Sequence, residues 1–268
     1  MNIALLIAGD SSRALLHRRL LLALIVVSLA LTIGFSAQFA TIRAGMNENF
    51  TEQSGANAAG KMSEADRLRF REQMEGASFF FQTAFYAVAS FGGSLVSLFI
   101  FSTAVTGEIR SGTIRITLAK PVSRTQFLLG KYLGGVAVMA AYALVASGAM
   151  LAFVHSQHME LSPAMTYAPW LMFCRQLMLG SVALLLSFFM HPLVASAIAL
   201  FSGNGFYSAP NPLYYVLPSY GAFDLYGDML SGTLVSGVDV LWWSLYAADF
   251  VAIMLVLAWW RFRNKELV

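Results

Sequence analysis

The sequence predicts an all-helical, polytopic membrane protein of six transmembrane helices. An N-terminal amphipathic surface helix precedes them, and a broken or re-entrant segment precedes the last span. Three observations carry that prediction. Apolar residues make up 58% of the 268-residue chain and charged residues only 12%, where a soluble domain carries about 25%. Mean hydropathy is +0.66. The apolar residues fall in blocks long enough to cross ~30 Å of hydrocarbon, which takes about 20 helical residues, so the solvent for most of the surface is lipid. The net charge of +3 does not point to nucleic acid, because the basic residues flank the apolar blocks, as positive-inside topology requires. A lone cysteine, Cys174, excludes a disulfide framework and a cysteine-based metal site.

The chain reads as one transmembrane domain, 1–268, and each element has its reason. Residues 1–19 interleave Leu5, Leu6, Leu15 and Leu16 with Arg13, His17, Arg18 and Arg19, the pattern of a helix lying on a membrane surface. Span 1 follows from Leu20 to Thr41, and it lacks a convincing cleavage site, so it reads as a retained anchor. Residues 43–77 form the long polar outer segment, with five basic and six acidic residues. Within it Ser63 can cap a helix whose first turn holds Glu64 and Asp66, and that helix can run straight into span 2, Ala77 to Val105. A basic loop (106–131) leads to span 3, Tyr132 to Val154. Span 4 runs from Pro169 to Met190, His191-Pro192 makes a turn, and a short span 5 reaches Phe206. Residues 207–238 hold Pro210, Pro212, Pro218 and several glycines, too broken for a regular span and tolerable at membrane depth only when packed on protein. Span 6, Asp239 to Trp260, ends in Arg261, Arg263 and Lys265.

Basic residues set the orientation. With the N-terminus inside, 11 of the 17 Lys and Arg residues are cytoplasmic, against three acids, Asp10, Glu108 and Glu266. Both termini then face the cytoplasm, and the tryptophan pairs at 242–243 and 259–260 mark the two ends of span 6.

The loop after span 2 is the most informative stretch: Glu108, Arg110, Gly112, Thr113, Arg115, Lys120, Pro121, Ser123 and Arg124, then Gly130-Lys131. Ile114, Ile116 and Leu118 alternate with Arg115, Thr117 and Lys120, giving one apolar and one polar side. Ser123 is placed to cap span 3. On physical grounds alone these charges can equally be topogenic. Their order, however, resembles the ABC-2 type permease family, which has a Glu-x-x-x-Gly-Thr segment and a Pro-x-Ser-Arg segment between its second and third spans. Glu108, Gly112, Thr113, Pro121, Ser123, Arg124 and Lys131 match that pattern, and the general layout matches over most of the chain. The N-terminal helix departs from it: Gly9-Asp10 stands where the family often has a basic-acidic pair.

The resemblance implies a homodimeric permease of exporter type in a bacterial-type inner membrane. Each copy would dock residues 108–120 on one of two ABC ATPase subunits. ATP and Mg would sit on that partner, since this chain has no Gly-x-x-x-x-Gly-Lys-[Ser/Thr] loop and carries neither a catalytic residue nor a bound cofactor of its own.

Outside the loop, Asp249 lies mid-span, where a carboxylate costs ~3 kcal/mol and needs a partner or an aqueous cavity. It reads either as a pathway residue or as the structural partner of Arg175 or a tyrosine. Arg175, near the outer end of span 4, reads as a snorkelling residue. His155, His158, Met159, Glu160 and Met165 invite a soft-metal reading, but such spacing is common in loops and the methionines suit packing, so no metal is assigned. Two rival functions remain. One is an ion-coupled secondary transporter using Asp249. The other is an ABC-type complex with a mechanical or metalloenzyme-maturation role, acting on an outer partner through 43–77.

Overall fold

The computed structural model describes residues 6–11, 64–114, 122–203 and 217–264, with isolated helical positions between 23 and 45. All regular structure among the described residues is helical. Among the described residues seven α-helices follow from residue 64 onward, the first six being α1 (Glu64–Ala104), α2 (Thr106–Ser111), α3 (Arg124–Ser156), α4 (Ala168–Ser187), α5 (Pro192–Phe201) and α6 (Tyr226–Ser231). The last is α7, Gly237–Arg263, and 3-10 turns sit at Pro163–Thr166 and Tyr220–Phe223.

Four stretches are long and apolar enough to cross a membrane: Glu75–Ala104, Arg124–Ser156, Ala168–Ser187 and Gly237–Arg263. Helix α1 has 41 residues, about 60 Å at 1.5 Å per residue, so its first turns extend past the hydrocarbon. The polar outer segment and span 2 therefore share one helix from Glu64 onward. The short fifth span is helical over only ten described residues, Pro192–Phe201, or about 15 Å. Most of span 1 and of the surface helix, together with residues 46–63, 115–121 and 204–216, lie outside the described residues.

Helices α1 and α4 form the centre: two thirds of each apolar window is buried, against 17% for α7. Small residues make this approach possible. Ser90, Gly93, Ser94 and Ser97 of α1 are buried, and Ser97 Oγ donates to the Gln176 carbonyl of α4 at 2.6 Å. The Phe101 ring fills the space over two glycines, Gly135 of α3 and Gly180 of α4, and packs on Tyr132 at 4.9 Å between centroids. A Cβ at either glycine would overlap that ring. Gly180→Val is expected to destabilise the bundle by about 1–3 kcal/mol through overpacking, read as a lowered unfolding temperature in detergent. A further Phe101→Leu change in the same chain should restore part of it.

Among the described residues, loops pack over the end of the bundle opposite Arg261. Gln82 of α1 is fully buried and satisfies both ends of its amide, donating to the Glu160 carbonyl at 2.7 Å and accepting from Ser162 N–H at 2.9 Å. Ser162 Oγ donates to the Met229 carbonyl at 3.2 Å, tying in α6. Tyr220, Phe223, Leu225 and Met229 are buried against the spans. The broken segment between 217 and 236 is thus anchored to the spans by these buried side chains, while Leu230 and Leu234 stay exposed.

Candidate functional site

At the end of the bundle that carries Arg261 and Arg263, the basic end, four helices meet. Helix α1 stops at Ala104, and α2 continues after Val105 as a separate turn. Gly112 ends α2 with φ +73, a left-handed conformation that strains any residue with a Cβ, and its N–H bonds the Ile109 carbonyl at 3.3 Å. Thr113 Oγ1 pairs with Ser111 Oγ at 2.8 Å, which folds the polar strip back over the turn. Ile114 is buried against the core.

Two side chains tie this turn to the spans. Glu108 of α2 forms an ion pair with Lys131 of α3, both largely shielded from solvent. Lys131 also lies 5.7 Å above the Phe127 ring. Ser123 caps α3 in a full capping box: its hydroxyl accepts from Gln126 N–H at 3.1 Å, and its own N–H donates to Gln126 Oε1 at 3.1 Å.

Arg124, the first residue of α3, reaches the far end of the chain. Its Nη1 donates to the carbonyls of Phe262 at 3.1 Å and Arg263 at 2.8 Å, and its guanidinium stands 5.8 Å over the Phe262 ring. The last carbonyls of a helix have no partner within it and sit at the negative end of its dipole, so a cation there both bonds and neutralises. Beneath it, Phe127, Phe188 and Phe262 form a buried aromatic cluster, with centroids 6.1 and 5.7 Å apart along the chain of rings. Trp259 Nε1 donates to Thr125 Oγ1 at 2.8 Å. The α2 turn, the start of α3 and the end of α7 are therefore one linked unit. Arg124→Ala leaves the two α7 carbonyls without their charged donor. We expect a loss of about 1.5–3 kcal/mol, visible as faster amide exchange in the last turn of α7.

Of the loop residues singled out in the sequence, Glu108, Arg110, Gly112, Thr113, Ser123, Arg124 and Lys131 gather at this end. Arg115 and Pro121 lie outside the described residues. Arg110 is exposed and makes no ion pair among the described residues. The contact of Arg124 with α7 was not foreseen, since its partners lie 138 and 139 residues away.

Arg175 corrects one expectation. It does not snorkel alone, and its partner is not Asp249: Nη1 meets Asp224 Oδ1 at 2.5 Å and Ser90 Oγ at 3.1 Å. Asp224 follows the 3-10 turn of the broken segment, which folds back far enough to deliver a carboxylate to α4. Burial raises the Asp224 carboxyl above the usual range, and the Arg175 charge opposes that rise. Asp249 lies on the exposed face of α7 and has no ion pair among the described residues. No group of three His, Cys, Asp or Glu side chains among the described residues could hold a metal.

Four apolar helices long enough to span a bilayer, with a charged turn at one end, define a multi-pass membrane protein. The family model for ABC-2 family transporter protein matches residues 11–202, well over half of the chain, and the chain belongs to the ABC-2 type permease family. Membership makes it the membrane component of an ABC transporter and implies an ABC ATPase as partner. No curated protein matches the sequence.

Proposed function

We propose that the chain is an exporter-type permease subunit, working as a homodimer with two ATPase subunits. It sits in a bacterial-type cytoplasmic membrane with both termini inside, and Leu20–Thr41 and the α5 region complete six spans. ATP and Mg bind the partner. The coupling site is Glu108, Arg110, Gly112, Thr113, Arg115, Pro121, Ser123, Arg124 and Lys131.

The observation that carries this reading is a pair of links in series: Glu108–Lys131 joins the α2 turn to α3, and Arg124 joins the start of α3 to the end of α7. A push on α2 by a closing ATPase pair moves a short, left-handed-capped turn that cannot absorb the motion by bending freely. The ion pair passes the displacement to α3, and the guanidinium passes it to α7. The two helices then tilt as rigid bodies about the central α1–α4 pair, the usual form of such a transition. Glu108, Lys131 and Arg124 act in this scheme as positioning residues.

Asp249 fits a second role within the same reading. A mid-span carboxylate on the exposed face of α7 is costly in lipid and calls for an aqueous path or a protein partner. The direct test of the proposal is co-expression of the tagged chain with its ATPase and purification in mild detergent. A complex of two permeases with two ATPases is the expected result. A folded permease that never retains an ATPase sinks the proposal and turns attention to gradient-driven transport through Asp249.

A further inference from the structure

At the basic end the helices leave a cavity of about 300 Å³ between the α2 turn and the 188–191 turn that joins α4 to α5. That volume is at the lower end of ligand-pocket sizes, about 300–1,000 Å³. Its walls divide by chemistry. Ile109, Phe188, Phe189 and Met190 give an apolar side, and Arg110 and His191 give a cationic and hydrogen-bonding side.

Among the described residues no acid lines the cavity. The nearest carboxylate in sequence, Glu108, is committed to Lys131. The two lining hydroxyls, Thr106 and Ser187, already donate to carbonyls one turn back, at 2.6 and 2.7 Å. The open donors are therefore the Arg110 guanidinium and the His191 ring. His191 Nδ1 accepts from Leu193 N–H at 3.3 Å, so Nε2 is the ring atom left to donate outward. Arg261 stacks 5.0 Å over the Phe189 ring on the same wall, and its buried Nε has no hydrogen-bond partner among the described residues.

We infer that this cavity binds a phosphate group, and that the group arrives on an anionic phospholipid of the inner leaflet. Arg261, whose guanidinium meets the cavity wall at Phe189, directly follows Trp259 and Trp260 in the chain, residues that favour headgroup depth. Its apolar wall suits the glycerol and first acyl carbons, which inorganic phosphate lacks. A basic pocket between spans on the cytoplasmic side is the setting in which anionic headgroups are held. The leaflet rests on the orientation proposed above. The binding itself does not, so the two can fail separately.

The test uses the purified full chain in neutral detergent, titrated with phosphatidylglycerol or phosphatidylcholine, with bound lipid counted by native mass spectrometry. Wild type should prefer phosphatidylglycerol by about fivefold or more, the worth of one surface cation. The Arg110→Gln/His191→Gln variant should bind both lipids alike. Ile109→Trp, which fills the cavity and keeps both donors, should lose the same preference with its fold checked by unfolding temperature. If millimolar inorganic phosphate displaces the lipid, the site is a free-phosphate site of the same chemistry. Undiminished preference in both folded variants overturns the inference. So does a pair of variants that bind lipid normally and lose only the ATPase, since the cavity would then be a protein socket.

Discussion

Reversing one charge, Glu108→Arg, is expected to lower permease-stimulated ATP hydrolysis by about tenfold or more, within the usual range of coupling between sites. Transport should be lost with it, while the protein still inserts and purifies. The reason is local. Glu108 and Lys131 form a shielded pair between α2 and α3. An arginine at 108 would place two cations side by side where little water screens them, and the turn would swing away from α3. The Arg124 contact with α7 would remain, because it belongs to a different strand of the link. The swapped variant Glu108→Arg/Lys131→Glu rebuilds the pair with the signs exchanged, and it should recover most of the stimulated hydrolysis. Failure of that rescue, with both variants folded, would mean that Glu108 touches the ATPase directly instead of acting through Lys131.

The second large effect concerns stability at the opposite end. Removing one partner of a shielded ion pair leaves an uncompensated charge and costs about 3–5 kcal/mol, whereas replacing both by apolar groups is often nearly neutral. Arg175→Met should therefore lower the unfolding temperature by several degrees, and Arg175→Met/Asp224→Leu should regain most of the loss. The pair is not sealed: its side chains are 19% and 25% exposed, which favours the lower end of the range. The single variant also has a predictable pH response. Burial already raises the Asp224 carboxyl, and without the opposing guanidinium it rises further. A carboxyl raised above its unfolded value favours the folded state while protonated and loses that advantage as pH rises through its folded value. Arg175→Met should be more stable at acidic than at neutral pH, measured by thermal unfolding in detergent. Equal stability of wild type and Arg175→Met at neutral pH would show that the broken segment is held by its apolar contacts alone.

Much of this architecture was legible in the sequence because lipid makes stringent demands. Every backbone group in hydrocarbon must be bonded, so apolar blocks near 20 residues read as helices, and α1, α3, α4 and α7 fall where the blocks are. Ser123 was readable as a cap because capping is local, resting on Gln126 three residues on. The parts that escaped are all contacts at long range. Arg124 looked like a loop cation, yet its role is decided by the end of a helix 138 residues away. Asp224 sat in a stretch read only as broken, and nothing local says that the segment folds back to α4. Asp249 was the conspicuous carboxylate by position, so it drew the pairing with Arg175 that belongs to Asp224. The short α5 was read as longer because hydropathy continues past Phe201 while the described helix does not.

The central claim is that motion of the ATPase reaches α7 through the α2 turn and Arg124. Hydrogen exchange of the complex, with and without ATP, tests it most directly at residues 259–264. In the wild type, ATP should change exchange there, and in both Glu108→Arg and Arg124→Ala that ATP-dependent change should vanish. An ATP response at the end of α7 that persists in both variants would contradict the account.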